Sequence, residues 1–176
     1  MTTPARDSRA ERLQLTRFSS GGRTNLIILR GARGRAVDRW LVRWLGWSMI
    51  TWQYTRAAGR AYQPTLLLTT IGRRTGRLRS SALPYYPVGD DLVVCGTRGG
   101  GPLDPLWVGN LRADPNCWLR VRRRLVPATG RIVDGEERAA LFDVVADLHG
   151  GLRRYQKQAA THGREIPLVV LTPRRE

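Results

Sequence analysis

Residues 65–97 read TLLLTTIGRRTGRLRSSALPYYPVGDDLVVCGT and contain three apolar runs separated by two tight turns. The runs cover 65–70, 78–86 and 92–97, and the turns are built on Gly72–Gly76 and Gly89–Asp91. Short runs rich in Leu, Val and Thr between Gly- and Asp-rich turns are typical of β-strands. Connections this short join antiparallel neighbours, because a parallel pair needs a crossover of a dozen or more residues. The stretch therefore predicts an antiparallel sheet.

The same pattern of short apolar runs and turns continues toward the C-terminus, with three helical segments between the strands. The Asp104–Pro105 pair resembles an N-cap followed by proline at the first helical position, which predicts a short helix over about 106–112. The other elements are strands at 116–122, 125–133 and 166–172, a helix at about 136–148, and a further helical stretch around Tyr155. About six mostly antiparallel strands in this order favour a small closed barrel with flanking helices, an α+β fold.

The chain before this region divides into two segments that differ in composition. Residues 1–24 are polar and rich in arginine, and we interpret them as a flexible basic arm. Residues 25–60 contain an N-terminal amphipathic helix over about 36–58, because apolar side chains recur there at steps of three and four. Its apolar stripe either covers the barrel or a partner subunit, or lies on an anionic membrane surface. Residues 61–176 form the predicted barrel domain.

Length and composition exclude several classes of protein. The chain has 176 residues, 41% of them apolar and 25% charged, which fits one folded domain and excludes a disordered, collagen-like or coiled-coil chain. Its apolar runs are shorter than the roughly 20 residues that span a bilayer. The isolated Cys95 and Cys117 indicate neither a disulfide framework nor a metal site. With no secretory signal recognisable at the N-terminus, we expect a cytoplasmic protein.

The net charge of +16 points to a polyanionic partner. Arginines cluster at 73–79 and 120–124, and guanidinium groups suit phosphate and carboxylate oxygens because they donate paired hydrogen bonds. A nucleic acid, an anionic membrane and a phosphorylated or polycarboxylate ligand all fit this charge. The sequence lacks the RNP-like, zinc-finger and helix-turn-helix signatures of nucleic-acid modules, so we expect no specific nucleic acid.

Two loops combine hydrogen-bond donors with glycines that make the backbone flexible. The first, Gly72–Arg79, holds four arginines, Thr75 and two glycines, which suits an anion cradle although the Walker spacing is absent. The second, Thr97–Gly101, supplies a hydroxyl, a cation and flexible backbone just before the short helix. Such ingredients are typical of a site that grips an anionic cofactor.

These loops carry a family resemblance. The segments LTTIGRRTGRLR (68–79), TRGG (97–100), PLW (105–107) and NLRADP (110–115) resemble the deazaflavin-dependent nitroreductase family, in the same order and with similar spacing. The similarity extends over about residues 54–173. It implies a split β-barrel related to the FMN-binding oxidoreductases and the deazaflavin coenzyme F420 as hydride carrier, with FMN as the alternative cofactor.

The resemblance also assigns roles to residues. It implies that the first loop holds the phosphate and polyglutamate tail of the coenzyme, and that the second loop and short helix line the tail path and the ring pocket. The cofactor-binding residues so implied are Arg73, Arg74, Thr75, Gly76, Arg79, Thr97, Arg98, Gly99, Gly100, Leu106, Trp107 and Asn110. The candidate catalytic residues are Thr97, Tyr155 and His149. Tyr155 corresponds to the last of the family's spaced pocket tyrosines, whereas Leu152 and His149 stand at the positions of the others.

The sequence thus predicts an F420H2-dependent reductase that passes a hydride to a small electron-poor hydrophobic molecule, namely a quinone, an activated alkene or a nitro compound. A non-catalytic barrel that binds a deazaflavin, a flavin or a lipid is the alternative, and a basic nucleic-acid binder is a third interpretation. The protein is expected to be a monomer or a homodimer, and residues 36–58 are a candidate membrane contact.

Overall fold

The computed structural model describes residues 15–20, 23–29, 31–57, 59 and 61–174. The described elements, in chain order, are β1 (Leu15–Ser20), β2 (Arg23–Leu29), α1 (Gly31–Leu45), α2 (Met49–Ala57), β3 (Thr65–Ile71), β4 (Leu78–Pro84), β5 (Tyr86–Val88), β6 (Asp91–Cys95), a 3₁₀ turn (Arg98–Gly100), α3 (Leu106–Ala113), β7 (Asn116–Val121), β8 (Arg124–Val133), α4 (Gly135–Leu148), α5 (Leu152–Ala160) and β9 (Leu168–Pro173).

The strands from β3 onward form one antiparallel sheet in the spatial order β4–β3–β7–β8–β9–β6–β5. Although β4 and β5 occupy opposite edges of this sheet, the single residue Tyr85 joins them along the chain. The sheet must therefore curl until its two edges meet. Two hydrogen bonds hold this corner: Tyr85 N–H donates to the carbonyl of Pro64 (3.1 Å), and Gln63 Nε2 donates to the carbonyl of Tyr85 (2.7 Å).

The core divides into two clusters, one on each face of the curled sheet. Side chains alternate along β9, so Val169 and Leu171 join one cluster while Leu168 and Val170 join the other. The first cluster contains Trp107, Val108 and Leu111 of α3, and the second contains buried residues of α4 and α5. This α+β arrangement confirms the predicted split barrel with flanking helices. The described part of the sheet has seven strands where the sequence indicated about six, because the run at 78–86 divides at Tyr85.

The predicted helix over 36–58 is helical but broken. Gly46 adopts a positive φ of 69°, a conformation that ends α1, and Ser48 then caps α2 by accepting a hydrogen bond at Oγ from the N–H of Thr51 (3.0 Å). Asp38 of α1 accepts further bonds from Ser48 Oγ and from Ile50 N–H. These contacts fix the angle between the two helices.

The N-terminal segment contains a β-hairpin. Within the interval interpreted as a flexible arm, 1–24, the structure has the strand β1 at 15–20, paired with β2 in a separate two-stranded sheet. Two adjacent glycines, Gly21 and Gly22, precede an apolar run at 26–29, a signal the sequence analysis did not use that is consistent with a hairpin. Residues 1–14, 21 and 22 of that interval lie outside the described residues.

Candidate functional site

The first loop is a compact turn between β3 and β4. The carbonyl of Gly72 accepts hydrogen bonds from the N–H groups of Thr75 (3.0 Å) and Gly76 (2.7 Å), and the Gly72 N–H donates to the carbonyl of Arg77 (2.9 Å). A Cβ at Gly72 would lie 3.0 Å from that carbonyl oxygen, and Gly76 has a φ of 65°. Both glycines are therefore required by the turn, and the arginine and threonine side chains between them are exposed.

The turn is anchored to α3 through its first arginine. Arg73 N–H donates to Oδ1 of Asn110 (3.2 Å), and Nδ2 of Asn110 donates to Oγ1 of Thr70 (3.0 Å). The guanidinium of Arg73 lies against Gly109, where an added Cβ would come within 3.3–3.4 Å of its atoms. Asn110 therefore positions the turn, since both ends of its buried amide are engaged inside the protein.

The charge of this turn is unbalanced in the described part of the chain. Arg73, Arg74, Arg77 and Arg79 are all exposed, and the ion pairs formed among described residues use other arginines. Four guanidinium groups held within one turn repel one another unless an anion lies between them. The turn is thus suited to a multiply charged anionic ligand.

The second loop follows β6 and has an unusual backbone. Arg98, Gly99 and Gly100 have φ values of 42°, 65° and 77°, directly after a right-handed helical conformation at Thr97. A right-handed residue followed by a left-handed one turns successive N–H groups toward one concave side, an arrangement that binds anions. Gly100 packs on α5, where a Cβ would lie 2.9 Å from Cβ of Gln158 and 3.0 Å from the carbonyl oxygen of Tyr155.

Arg164, which the sequence analysis did not single out, holds this second loop. Its guanidinium is buried and donates to the carbonyls of Gly96, Thr97 (3.2 Å) and Gly101 (3.0 Å) and to Oδ1 of Asp104 (2.8 Å). One arginine among 29 in the sequence cannot be singled out by a local pattern, because its contacts join residues 60 to 68 positions apart.

Asp104 differs from its predicted role. It forms no side-chain cap on α3, which begins at Leu106 after Pro105. Its carboxylate instead pairs with Arg164 (2.8 Å) and with Arg112 (2.9 Å). The Asp–Pro pattern placed the start of the helix correctly, but the two arginines compete successfully for the carboxylate.

The two predicted residues of α3 that precede Asn110 have opposite environments. Trp107 is 6% exposed and belongs to the first core cluster, whereas Leu106 is 78% exposed. A ligand beside α3 would therefore meet Leu106 first. Trp107 packs in the core beneath this surface of α3.

The C-terminal candidates Tyr155 and His149 lie next to each other. Their rings are perpendicular with centroids 6.0 Å apart, and His149 stacks on Tyr86 at 5.7 Å. Nδ1 of His149 accepts the N–H of Gly151 (3.1 Å), so a neutral His149 carries its proton on Nε2. The sequence analysis missed Tyr86, which the curl of the sheet brings to this point.

The structure thus places the predicted residues around α3 and α5. The first loop contacts α3 through Arg73, and the second loop contacts α5 through Gly100. Tyr155 links the second loop to His149. In the described ranges, no cluster of three or more His, Cys, Asp or Glu side chains is arranged to hold a metal ion.

A separate exposed patch lies on α1. Val37, Trp40 and Trp44 recur at helical spacing with 46%, 58% and 54% exposure, beside the exposed Arg43. At the end of α1, a Cβ at Gly46 would lie 3.7 Å from atoms of Arg122 and Arg123, so the arginine-rich β7–β8 turn packs against the C-terminal end of this helix. None of the helices in the described part of the protein is long and apolar enough to span a bilayer.

Comparison with known proteins gives consistent matches. Residues 49–173 match the family described as F420H(2)-dependent quinone reductase. The F420H(2)-dependent quinone reductase Rv1261c of Mycobacterium tuberculosis (strain ATCC 25618 / H37Rv) is 30% identical over 149 residues, which cover 78% of this chain and 99% of that protein.

Solved structures share the fold. The F420-H2 dependent reductase FDR-A superposes with a TM-score of 0.55 at 26% identity, covering 61% of this chain and 93% of that one. A structure described as a domain-swapped dimer has a TM-score of 0.56 at 24% identity, covering 66% of this chain and 86% of that one. At that identity the second similarity concerns the fold alone.

Proposed function

The chain belongs to the F420H(2)-dependent quinone reductase family, and from this premise we propose that it passes a hydride from reduced coenzyme F420 to a quinone. Family membership makes the chain an F420-dependent oxidoreductase and confirms the cofactor inferred from the loop motifs. The quinone acceptor and the roles of individual residues are proposals, supported by the geometry described above. The unbalanced arginine turn anchored beside α3 is the single observation that carries the coenzyme site, and the family description supports the quinone acceptor.

The residues present fit this coenzyme. Its phosphate and oligoglutamate tail is polyanionic, and the β3–β4 turn presents four exposed guanidinium groups with open space at Gly76. Each charge-assisted hydrogen bond contributes about 1.5–3 kcal/mol, less where solvent screens it. The tail would be held by Arg73, Arg74, Thr75, Gly76 and Arg79. Thr97, Arg98, Gly99, Gly100 and Leu106 would line the path toward the ring.

The coenzyme supplies the hydride when bound, and the protein orients it against the acceptor and provides a proton. Reduction of a quinone to a quinol takes up one hydride and one proton. We assign the proton to Oη of Tyr155 or to Nε2 of His149, whose rings are neighbours; the backbone carbonyl of Tyr155 packs on Gly100 of the second loop. Thr97 would add a hydroxyl at the loop's entrance.

A spectral titration with oxidised F420 and FMN side by side tests the cofactor site. We expect saturable binding of F420 and weak binding of FMN, because FMN lacks the oligoglutamate tail. Steady-state assays with reduced F420 and a soluble naphthoquinone, a nitroaromatic and an activated alkene test the acceptor. Quinone turnover should be fastest. Faster reduction of either other acceptor contradicts the proposal, and F420 binding without turnover would indicate the non-catalytic alternative.

The proton donor can be identified with two substitutions. If Tyr155 is the donor, Y155F should lower kcat by about 10²-fold, the lower end of the effect of general acid catalysis, while the Kd for F420 stays constant. If His149 is the donor, H149Q should have that effect instead. A small effect from both would contradict the assignment of the proton to this pair.

We further propose that the α1 patch contacts an anionic membrane surface. Trp side chains favour the membrane interface, and arginines at its border complement anionic lipid headgroups. The exposure of Trp40 and Trp44, with the guanidinium of Arg43 lying 5.7 Å from the centre of the Trp44 ring, supports this proposal. It would place the protein where hydrophobic quinones dissolve.

Vesicle sedimentation tests the membrane contact. The protein should pellet with vesicles containing phosphatidylglycerol and remain in the supernatant with pure phosphatidylcholine, and W40A/W44A should lose most of the binding. V144A/L148A is a matched control, since both side chains are 52% exposed on α4. Equal losses from the two double variants, or equal binding to both lipids, would contradict the proposal.

A further inference from the structure

The buried side chain of Arg164 joins both ends of the second loop. Nη2 donates to the carbonyl of Gly96, Nη1 donates to the carbonyls of Thr97 (3.2 Å) and Gly101 (3.0 Å), and Nε pairs with Asp104 (2.8 Å). The side chain of Arg164 is 7% exposed. One planar guanidinium thus closes a loop of nine residues, 96–104.

The loop needs such a support. Three consecutive positive φ values, one of them at the non-glycine Arg98, make this backbone unfavourable by itself. A non-glycine residue in this region costs about 1–3 kcal/mol and persists where surrounding contacts impose it. Hydrogen bonds to three carbonyls of the loop supply those contacts, and a lysine could not make them in one plane because its ammonium lacks the fork of donors.

Arg164 also ties the loop to α5. Its backbone N–H donates to the carbonyl of Ala159 in α5 (3.1 Å), and Gly100 of the loop packs on Tyr155 and Gln158 of the same helix. The guanidinium therefore holds the loop against the helix that carries Tyr155.

We propose that Arg164, with Asp104, is a positioning residue for coenzyme binding: it holds the Thr97–Gly101 backbone in the conformation that receives F420. This inference rests on the proposed function, which assigns that loop to the coenzyme. Arg164 acts through the loop, since its own donors are directed to backbone carbonyls and to Asp104.

Arg138 offers a matched control. Its side chain is nearly as buried, at 10% exposure against 7% for Arg164, and it joins α5 to the segment before β9. Its guanidinium donates to Oε1 of Gln156 (3.0 Å) and the carbonyl of Ile166 (3.0 Å), and pairs with Glu165 (2.7 Å). Its loss removes a comparable network that makes no contact with the second loop.

The experiment compares R164Q, R164K and R138Q. We expect R164Q to raise the Kd for oxidised F420 by roughly tenfold or more, about 1.4 kcal/mol, with R164K intermediate. The kcat at saturating reduced F420 should change by less than about threefold, because loop ordering is then driven by the bound coenzyme. R138Q should lower the thermal midpoint without changing this Kd.

A second readout uses the protein without coenzyme. Amide hydrogen exchange of the peptide covering 96–104 should be faster in R164Q than in the wild type, and unchanged in R138Q. An unchanged Kd and exchange rate in R164Q would overturn the inference, as would an equal Kd shift in R138Q. If R164Q does not fold, R164K and D104N decide by the same measurements.

The two proposals fail in different ways. A wild-type protein that does not bind F420 contradicts the proposed coenzyme site. A wild-type protein that binds F420 with an affinity unaffected in R164Q contradicts the positioning role alone.

Discussion

The backbone N–H of Arg73 donates to Oδ1 of Asn110 over 3.2 Å, although the two residues are 37 positions apart in the chain. The bond fixes the start of the arginine turn to α3, and the other end of the same amide reaches Thr70 in the sheet. A single buried side chain thereby sets the position of the proposed tail site relative to the barrel.

Replacing Asn110 should uncouple the turn. N110A leaves the Thr70 hydroxyl, which is fully buried, without its present partner, at a cost of about 1–3 kcal/mol of unfolding free energy. The Kd for F420 should rise as well, because Arg73 is no longer fixed. Urea denaturation and a binding titration measure the two effects. N116A, at an exposed asparagine, is the control and should change the Kd little; a normal Kd in N110A would argue against the coupling.

Substitution of Gly109 should displace the Arg73 side chain while preserving the fold. A Cβ there meets the end of a flexible side chain, which can move, and alanine is favoured over glycine in a helix by up to about 1 kcal/mol. We expect G109V to weaken F420 binding several-fold more than G109A, with little loss of stability in G109A. In a double-mutant cycle, R73A should abolish the effect of G109V on the Kd. Additive effects would mean that Gly109 acts by another route.

The arginine turn should contribute to affinity and little to stability. R74A/R79A is expected to raise the Kd for F420 by more than tenfold at low salt, with the difference decreasing as salt is added, because both side chains are exposed. R120A/R124A removes the same charge at the β7–β8 hairpin and should leave the Kd nearly unchanged. Equal effects would indicate attraction by net charge rather than by a local site.

Asp38 should make unfolding pH-dependent. Burial raises the pKa of this carboxyl above its ordinary value of 3.8, although hydrogen bonds from Ile50 N–H and Ser48 lower it in part. The native state therefore holds more protons than the unfolded state between 3.8 and the raised pKa, and the free energy of unfolding decreases as pH rises through this window. D38N removes the titration, so its stability relative to the wild type should increase over that window. Chemical denaturation at several pH values measures this; a constant difference would contradict it.

The two cysteine thiols should be unreactive in the native protein. Burial raises the pKa of Cys95 to about 12 and that of Cys117 to about 11. At pH 8 the thiolate fractions are then about 10⁻⁴ and 10⁻³, and the thiolate is the reactive form. A colorimetric disulfide reagent should detect no rapid reaction before denaturation and two thiols after it. Rapid native labelling at either site would contradict the pKa shift there.

Local sequence patterns predicted most of the barrel because they depend on near neighbours. The apolar run at 166–172, the glycines of the β3–β4 turn and the proline before α3 each indicated their element within a few residues. The curl of the sheet was harder to predict from the sequence, since the run at 78–86 has the pattern of one strand. Its division at Tyr85 depends on hydrogen bonds with Gln63 and Pro64.

The candidate site divides in the same way. Its two loops carry their own residue patterns and could be located from the sequence. The contacts that hold the two loops in place could not be located from the sequence. Arg164 bonds to Gly96 and Asp104, and Asn110 bonds to Thr70, and these residues are too far apart in the chain for a periodic pattern to connect them. Asp104 was misinterpreted as a cap because its partners, Arg112 and Arg164, lie outside the local window.

The one-residue connection at Tyr85 has a consequence for self-association. Tyr85 holds the two edge strands, β4 and β5, close to each other. The backbone groups on the outer sides of these strands are therefore less available for pairing with a strand of a second chain. Lengthening the connection with a few glycines would release that tether. Exchange of strands between molecules, rather than loss of the core, would then be the first defect to emerge.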